Sequence, residues 1–188
     1  SSKVDFRFGT NDELKSLVAE AHSHGINVLL DYVANHVHQD HPLYKNHPEY
    51  ATPLYLPDGR MNTQLWDEQR LTTWFDTFMP SLDFGNPKVV SMMVDSAMFW
   101  MSEFNIDGFR HDACKHVNEE YWRLLTYKLK EYDPQGKFYQ IGESYGSPEL
   151  MASYVNSGML DGQFDFNVFD EATSAFNGVS GGTLTRVS

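Results

Sequence analysis

The stretch Ile106-Asp107-Gly108-Phe109-Arg110-His111-Asp112-Ala113-Cys114-Lys115-His116 reads as a short strand, Ile106–His111, that ends in a cluster of ionisable side chains. Charged groups at the end of a buried strand are costly unless they are used or paired. The pattern recurs on either side. Upstream, Ile26 to Val33 is a nearly continuous apolar run, with Val28, Leu29 and Leu30, that carries Asp31 and leads into Asn35 and His36. Downstream, Phe138–Gly142 is a further strand that leads into Glu143. An unbroken apolar run suits a strand covered on both faces, so a parallel sheet is expected.

Helices are predicted between these strands. Thr10-Asn11-Asp12-Glu13 is a capping box, followed by Leu14, Leu17, Val18 and Ala21 at helical spacing and by Gly25 as a left-handed cap. Asn86-Pro87 starts a second helix whose apolar stripe is Val89, Val90, Met93, Val94, Ala97 and Met101. Asn118 caps a third that runs to about Glu131, and Ser147-Pro148-Glu149 opens a fourth. Gln163–Phe169 alternates, with Phe164, Phe166 and Val168 on one face, and is read as another strand. This alternation of helix and strand is that of an α/β fold with a parallel sheet, in which ligands bind at the carboxyl ends of the strands.

The spacing adds an insertion. Asp112 and Glu143 lie one strand–helix–strand unit apart, roughly 30 residues. Asp31 and Asp112 are separated by about 50 residues more than that, too many for a structureless loop. Residues 36–85, rich in His, Pro, Tyr and Trp, are therefore expected to form a small inserted subdomain.

Composition narrows the function. With 41% apolar and 21% charged residues the chain is globular in type. Its 26 acidic and 14 basic residues give a formal charge of −12, which disfavours nucleic-acid backbones and anionic membranes and suits a neutral or cationic substrate. Cys114 is the single cysteine, so no intrachain disulfide forms, and no apolar run approaches the roughly 18 residues of a membrane span. These features leave the compartment open.

Two carboxylates at neighbouring strand ends suit retaining glycoside hydrolysis, which needs them roughly 5–5.5 Å apart. Arg110, two residues from Asp112, can face the same way and favours an ionised nucleophile. Glu143 follows Ile141 and Gly142 in a less charged setting, which would raise its pKa towards that of an acid.

Asp31-Tyr32-Val33-Ala34-Asn35-His36, Gly108 to His116, and Ile141-Gly142-Glu143 resemble three short stretches of the α-amylase family (glycoside hydrolase family 13), in the family's order and spacing. Met79-Pro80-Ser81-Leu82-Asp83 resembles a fourth, looser one. The resemblance covers essentially the whole chain. It implies about strands three to six of a (β/α)8 TIM barrel, formed by residues 1–35 and 86–188, with 36–85 inserted after the third strand. It also implies a retaining hydrolase of α-1,4-linked glucans, whether oligosaccharide or polysaccharide. By resemblance, Asp112 is the nucleophile and Glu143 the acid/base. Arg110 orients Asp112, His36 binds the sugar being cleaved, Lys115 and His116 line the leaving-group side, and Asp31 is a structural acid beneath the site.

Two departures stand out. The family's third carboxylate, in a His-Asp pair on the seventh strand, has no counterpart; only activity of the segment alone would require another carboxylate, such as Asp165, to supply it. The segment alone is therefore expected to be inactive and to self-associate through open barrel edges. The family's calcium site uses an asparagine matching Asn35, a carbonyl matching His116 and an aspartate where this chain has Ser81, so calcium is expected to bind weakly at best. No other cofactor is implied.

Rival readings remain open from sequence. A metal-dependent hydrolase could use His36 and His38, with His41 and His47 nearby. A non-catalytic glucan-binding module could stack sugars on Trp66, Trp74, Tyr50 and Tyr55. A transglycosylase of the same family would share the covalent intermediate.

Overall fold

The computed structural model describes residues 3–177. Four parallel strands lie in sequential order: β1 (Leu29–Tyr32), β2 (Gly108–His111), β3 (Tyr139–Gly142) and β4 (Gly162–Gln163). Helix α1 (Asn11–Ser23) precedes β1, α3 (Pro87–Phe104) enters β2, α4 (Glu119–Tyr132) joins β2 to β3, α5 (Pro148–Ser153) joins β3 to β4, and α6 (Phe166–Phe176) follows. A one-turn helix, α2 (Pro42–Asn46), lies in the long β1–α3 connection.

Local chemistry sets the helix ends. The Thr10 hydroxyl accepts from the Glu13 amide and the Glu13 carboxylate accepts from the Thr10 amide at 2.8 Å, a reciprocal cap worth about 1 kcal/mol. Asn86 accepts from the Lys88 amide ahead of Pro87, and α3 buries all six stripe residues together with Phe104. It stops at Asn105, a left-handed residue (φ 53°) not singled out from sequence. Asn118 holds the cap position of α4, but its side chain makes no capping hydrogen bond.

The register pairs Asp31 with Arg110 and Arg110 with Ile141. The ladder continues one step further, because the Asp112 amide donates to the Tyr32 carbonyl and the Glu143 amide to the His111 carbonyl. Strand alternation then divides the sheet. Tyr32, Phe109, His111 and Gln140 face the helical layer and are buried; Asp31, Arg110, Asp112 and Glu143 share the other face. Trp122, Tyr121, Leu125 and Leu129 of α4 complete the core on the helical side.

Two expectations need correcting. β1 is covered on one face only: Leu29 and Val33 are exposed, as is Tyr139 on β3. The four described strands form an open sheet, and this face lacks opposing strands among the described residues. Second, Gln163–Phe169 is not a strand. β4 stops at Gln163, and the Asp165 carboxylate accepts from the Val168 amide to cap α6. Phe166 and Phe169 lie three apart on that helix, a spacing that competed with the alternation.

The β1–α3 connection is held by isolated bridges such as His36–Ser81 and Ala51–Leu82. Trp74 is its buried centre, donating from Nε1 to the Thr52 carbonyl at 3.0 Å.

Candidate active site

At the carboxyl end of the sheet a cavity of about 490 Å³ is lined by Asp112, Glu143, Ala113, Lys115 and His116 on the barrel side. Trp66, Asp67 and Phe75 of the β1–α3 connection line it too, with Ser144 and Tyr145 after β3. Arg110 reaches three carboxylates. Its Nη1 donates to Asp31 and to Asp112, each at 2.8 Å, and its Nη2 lies 2.9 Å from Glu143. Asp31 is 67% exposed, against 23% for Asp112 and 26% for Glu143, so it sits in the open on the inner face.

The setting of Glu143 is therefore more charged than its apolar neighbours in sequence suggested, because Arg110 is long enough to reach the next strand. The Glu143 carboxyl nevertheless titrates above the ordinary carboxylate value. Desolvation is the main cause, Arg110 opposes it, and the charge of Asp112 and a hydrogen bond to it push in the same direction as burial.

The chain turns away from Asp112 through Ala113, a left-handed residue (φ 51°), into a 3₁₀ turn at Cys114–His116. Such backbone conformations cluster at functional sites. The turn is anchored to β3: the Cys114 amide donates to the Glu143 carbonyl and the Lys115 amide to the Ser144 hydroxyl.

His36 stacks on Phe75 with ring centroids 4.7 Å apart. Burial lowers its pKa, with the Asp112 charge opposing. The His116 ring meets the edges of Trp66 and Phe75, and burial holds its pKa down to about 4. Lys115 is buried, with Nζ 3.7 Å from Asp67.

All four expected substrate-side residues, His36, Arg110, Lys115 and His116, gather around the two carboxylates. Asp165 does not: it caps α6 and lines a separate cavity. Of the four aromatics weighed for sugar stacking, only Trp66 lines the site. Trp74 is core, Tyr50 stacks on His47, and Tyr55 is exposed. Phe75, Asp67, Ser144 and Tyr145 went unremarked in the sequence. Tyr145, stacked on Phe166 at 4.0 Å, was signalled only by standing two residues after Glu143.

The histidines do not converge. His38 and His41 accept from the amides of Asp40 and Leu43, and His47 pairs with Glu49. Among the described residues no three His, Cys, Asp or Glu side chains form a group that could hold a metal. Asn35 is buried with Nδ2 3.4 Å from the Ser81 hydroxyl, which donates to the Thr73 carbonyl at 2.7 Å. The two side chains that the resemblance matched to calcium ligands, Asn35 and Ser81, offer only neutral oxygens, a poor fit to an ion that takes 6–8 oxygens with carboxylates prominent among them.

Residues 1–186 match the family described as alpha amylase, catalytic domain. The chain belongs to the α-amylase catalytic-domain family. It is 30% identical over 171 residues to alpha-amylase 2 of Dictyoglomus thermophilum, covering 89% of this chain and 28% of that protein. It is 32% identical over 154 residues to a cyclomaltodextrinase of a Bacillus species, covering 75% and 26%. The crystal structure of the Geobacillus thermoleovorans alpha-amylase complexed with acarbose superposes with a TM-score of 0.79 at 30% identity, covering 92% of this chain and 38% of that one. The chain thus spans about a third of the length of these relatives, and the four strands correspond to part of their (β/α)8 barrel.

Proposed function

We propose that this chain carries the nucleophile and the acid/base of a retaining glycoside hydrolase acting on α-1,4-linked glucans. The observation that carries the reading is the Arg110 bridge between the carboxyl groups of Asp112 and Glu143, which line one cavity. In the first step the Asp112 carboxylate attacks the anomeric carbon while Glu143 gives its proton to the glycosidic oxygen. The carbon–oxygen bond breaks and a glycosyl ester forms on Asp112. In the second step Glu143, now a carboxylate, removes a proton from water, which displaces Asp112 and releases the sugar.

The remaining residues support both steps. Arg110 stabilises the Asp112 carboxylate as nucleophile and as leaving group. His36, whose neutral form burial favours, offers hydrogen bonds to sugar hydroxyls, and Phe75 stacks on its ring. Residues 36–85 form the inserted subdomain that supplies the facing wall. An acceptor sugar in place of water would give transglycosylation by the same intermediate.

The test is Asp112→Asn in the intact protein, with soluble starch and a 2-deoxy-2-fluoro glycoside trap. Parent enzyme labelled on Asp112 and a variant with almost no turnover are expected. Labelling of another residue would refute the assignment.

A further inference from the structure

The cavity has two walls drawn from distant parts of the chain. Lys115 and His116 form one, and Trp66, Asp67 and Phe75 the other. The Lys115–Asp67 pair that spans them is weak, because Asp67 is 95% exposed. A firmer link is Arg70, which follows Trp66 and Asp67 by one turn. Its Nη1 donates to the Lys115 carbonyl and, at 2.5 Å, to the Tyr154 hydroxyl at the end of α5. Its own carbonyl accepts from His116 Nδ1 at 2.7 Å. The Tyr154 hydroxyl also donates to the Lys115 carbonyl, at 3.3 Å. One residue thus grips the 3₁₀ turn with both its side chain and its main chain, through charge-assisted and directional bonds.

We propose that Arg70 is a positioning residue that ties the 62–75 wall to the Lys115–His116 turn and so sets the width of the cavity where leaving-group sugars bind. A charged side chain of the protein itself makes this tie, so it needs no divalent cation. The identity of the ligand rests on the proposed function; the tie itself does not.

Two readouts on the intact protein separate these. The first is hydrogen exchange of Arg70→Met, Arg70→Lys and Tyr154→Phe. Arg70→Met should speed exchange in residues 62–75 and 113–117 by roughly tenfold or more, with 108–111 and 139–142 unchanged. Arg70→Lys and Tyr154→Phe should lie between parent and Arg70→Met. Unchanged exchange, or an equal rise throughout the chain, overturns the tie. EDTA should leave the parent pattern as it is. A chelated parent that reproduces the Arg70→Met pattern overturns the proposal in favour of a bound cation.

The second readout is kinetic. For maltoheptaose the Arg70→Met KM should rise roughly tenfold with kcat falling less, while KM for a short activated aryl glycoside moves no more than about twofold. Equal shifts on both substrates overturn the claim that Arg70 shapes the leaving-group side. A parent that neither binds nor cleaves glucans defeats the proposed function, and exchange still decides whether Arg70 is the tie.

Discussion

Replacing His111 should change how stability depends on pH. Its ring lies on the helical face of β2, fully buried, between Phe109 and Trp122 at centroid distances of 5.3 and 4.8 Å. Gln140 donates from Nε2 to the Thr126 hydroxyl at 2.8 Å and to the Met159 carbonyl at 3.1 Å, which turns its Oε1 towards His111. His111 Nε2 must therefore carry the proton and donate to that oxygen at 3.0 Å, while Nδ1 has no partner. Burial pushes the pKa from an ordinary 6.5 to about 4. A depressed folded pKa means that the unfolded chain takes up the proton first as pH falls. The stability is fully present above about pH 6.5 and is lost progressively as pH falls through about 4, for a total of about 3 kcal/mol. By pH 4.5 about 2.5 kcal/mol of it should be gone.

His111→Leu removes that proton-linked loss but leaves the Gln140 oxygen buried without its donor, at a cost of about 1–3 kcal/mol. The variant should be the less stable protein at pH 7.5 and should equal or exceed the parent near pH 4.5. Urea unfolding at pH 7.5, 6 and 4.5 measures the difference, and the similarly depressed His116, present in both proteins, cancels. Parallel pH curves for the two would refute the reasoning.

Gly108→Ala should cost at least about 3 kcal/mol, because the backbone there has φ 145° and a Cβ would lie 1.9 Å from the Tyr139 carbonyl oxygen; a denaturation shift under about 1 kcal/mol would contradict this. Glu143→Gln should slow substrates with poor leaving groups by about 10²–10⁴-fold and activated aryl glycosides far less, since only the former need the proton. Equal losses would remove Glu143 as the acid. The 188 residues expressed by themselves should self-associate and leave starch intact, given the exposed inner-face Leu29, Val33 and Tyr139; a monomer that hydrolyses starch, seen by size-exclusion chromatography and a reducing-sugar assay, would show the opposite.

The sequence by itself determined the strands around Asp31, Asp112 and Glu143, the capping box at Thr10 and the stripe of α3. These follow from local periodicity, cap chemistry and the costliness of charge at buried strand ends, all of which act over a few neighbouring residues. It also determined that Arg110 faces with Asp112, since strand alternation is fixed at a period of two. Only the tertiary structure decided the rest. That Arg110 reaches Glu143 depends on register between β2 and β3, and that Asp31 lies in the open depends on which strands oppose it. Phe164–Val168 could alternate or wind until Asp165 capped the amide of Val168, a choice that local pattern leaves balanced. Arg70 carried no signal at all, because its partners Lys115 and Tyr154 stand 45 and 84 residues away, and hydrogen bonds of that range are set by how the connection packs onto the sheet.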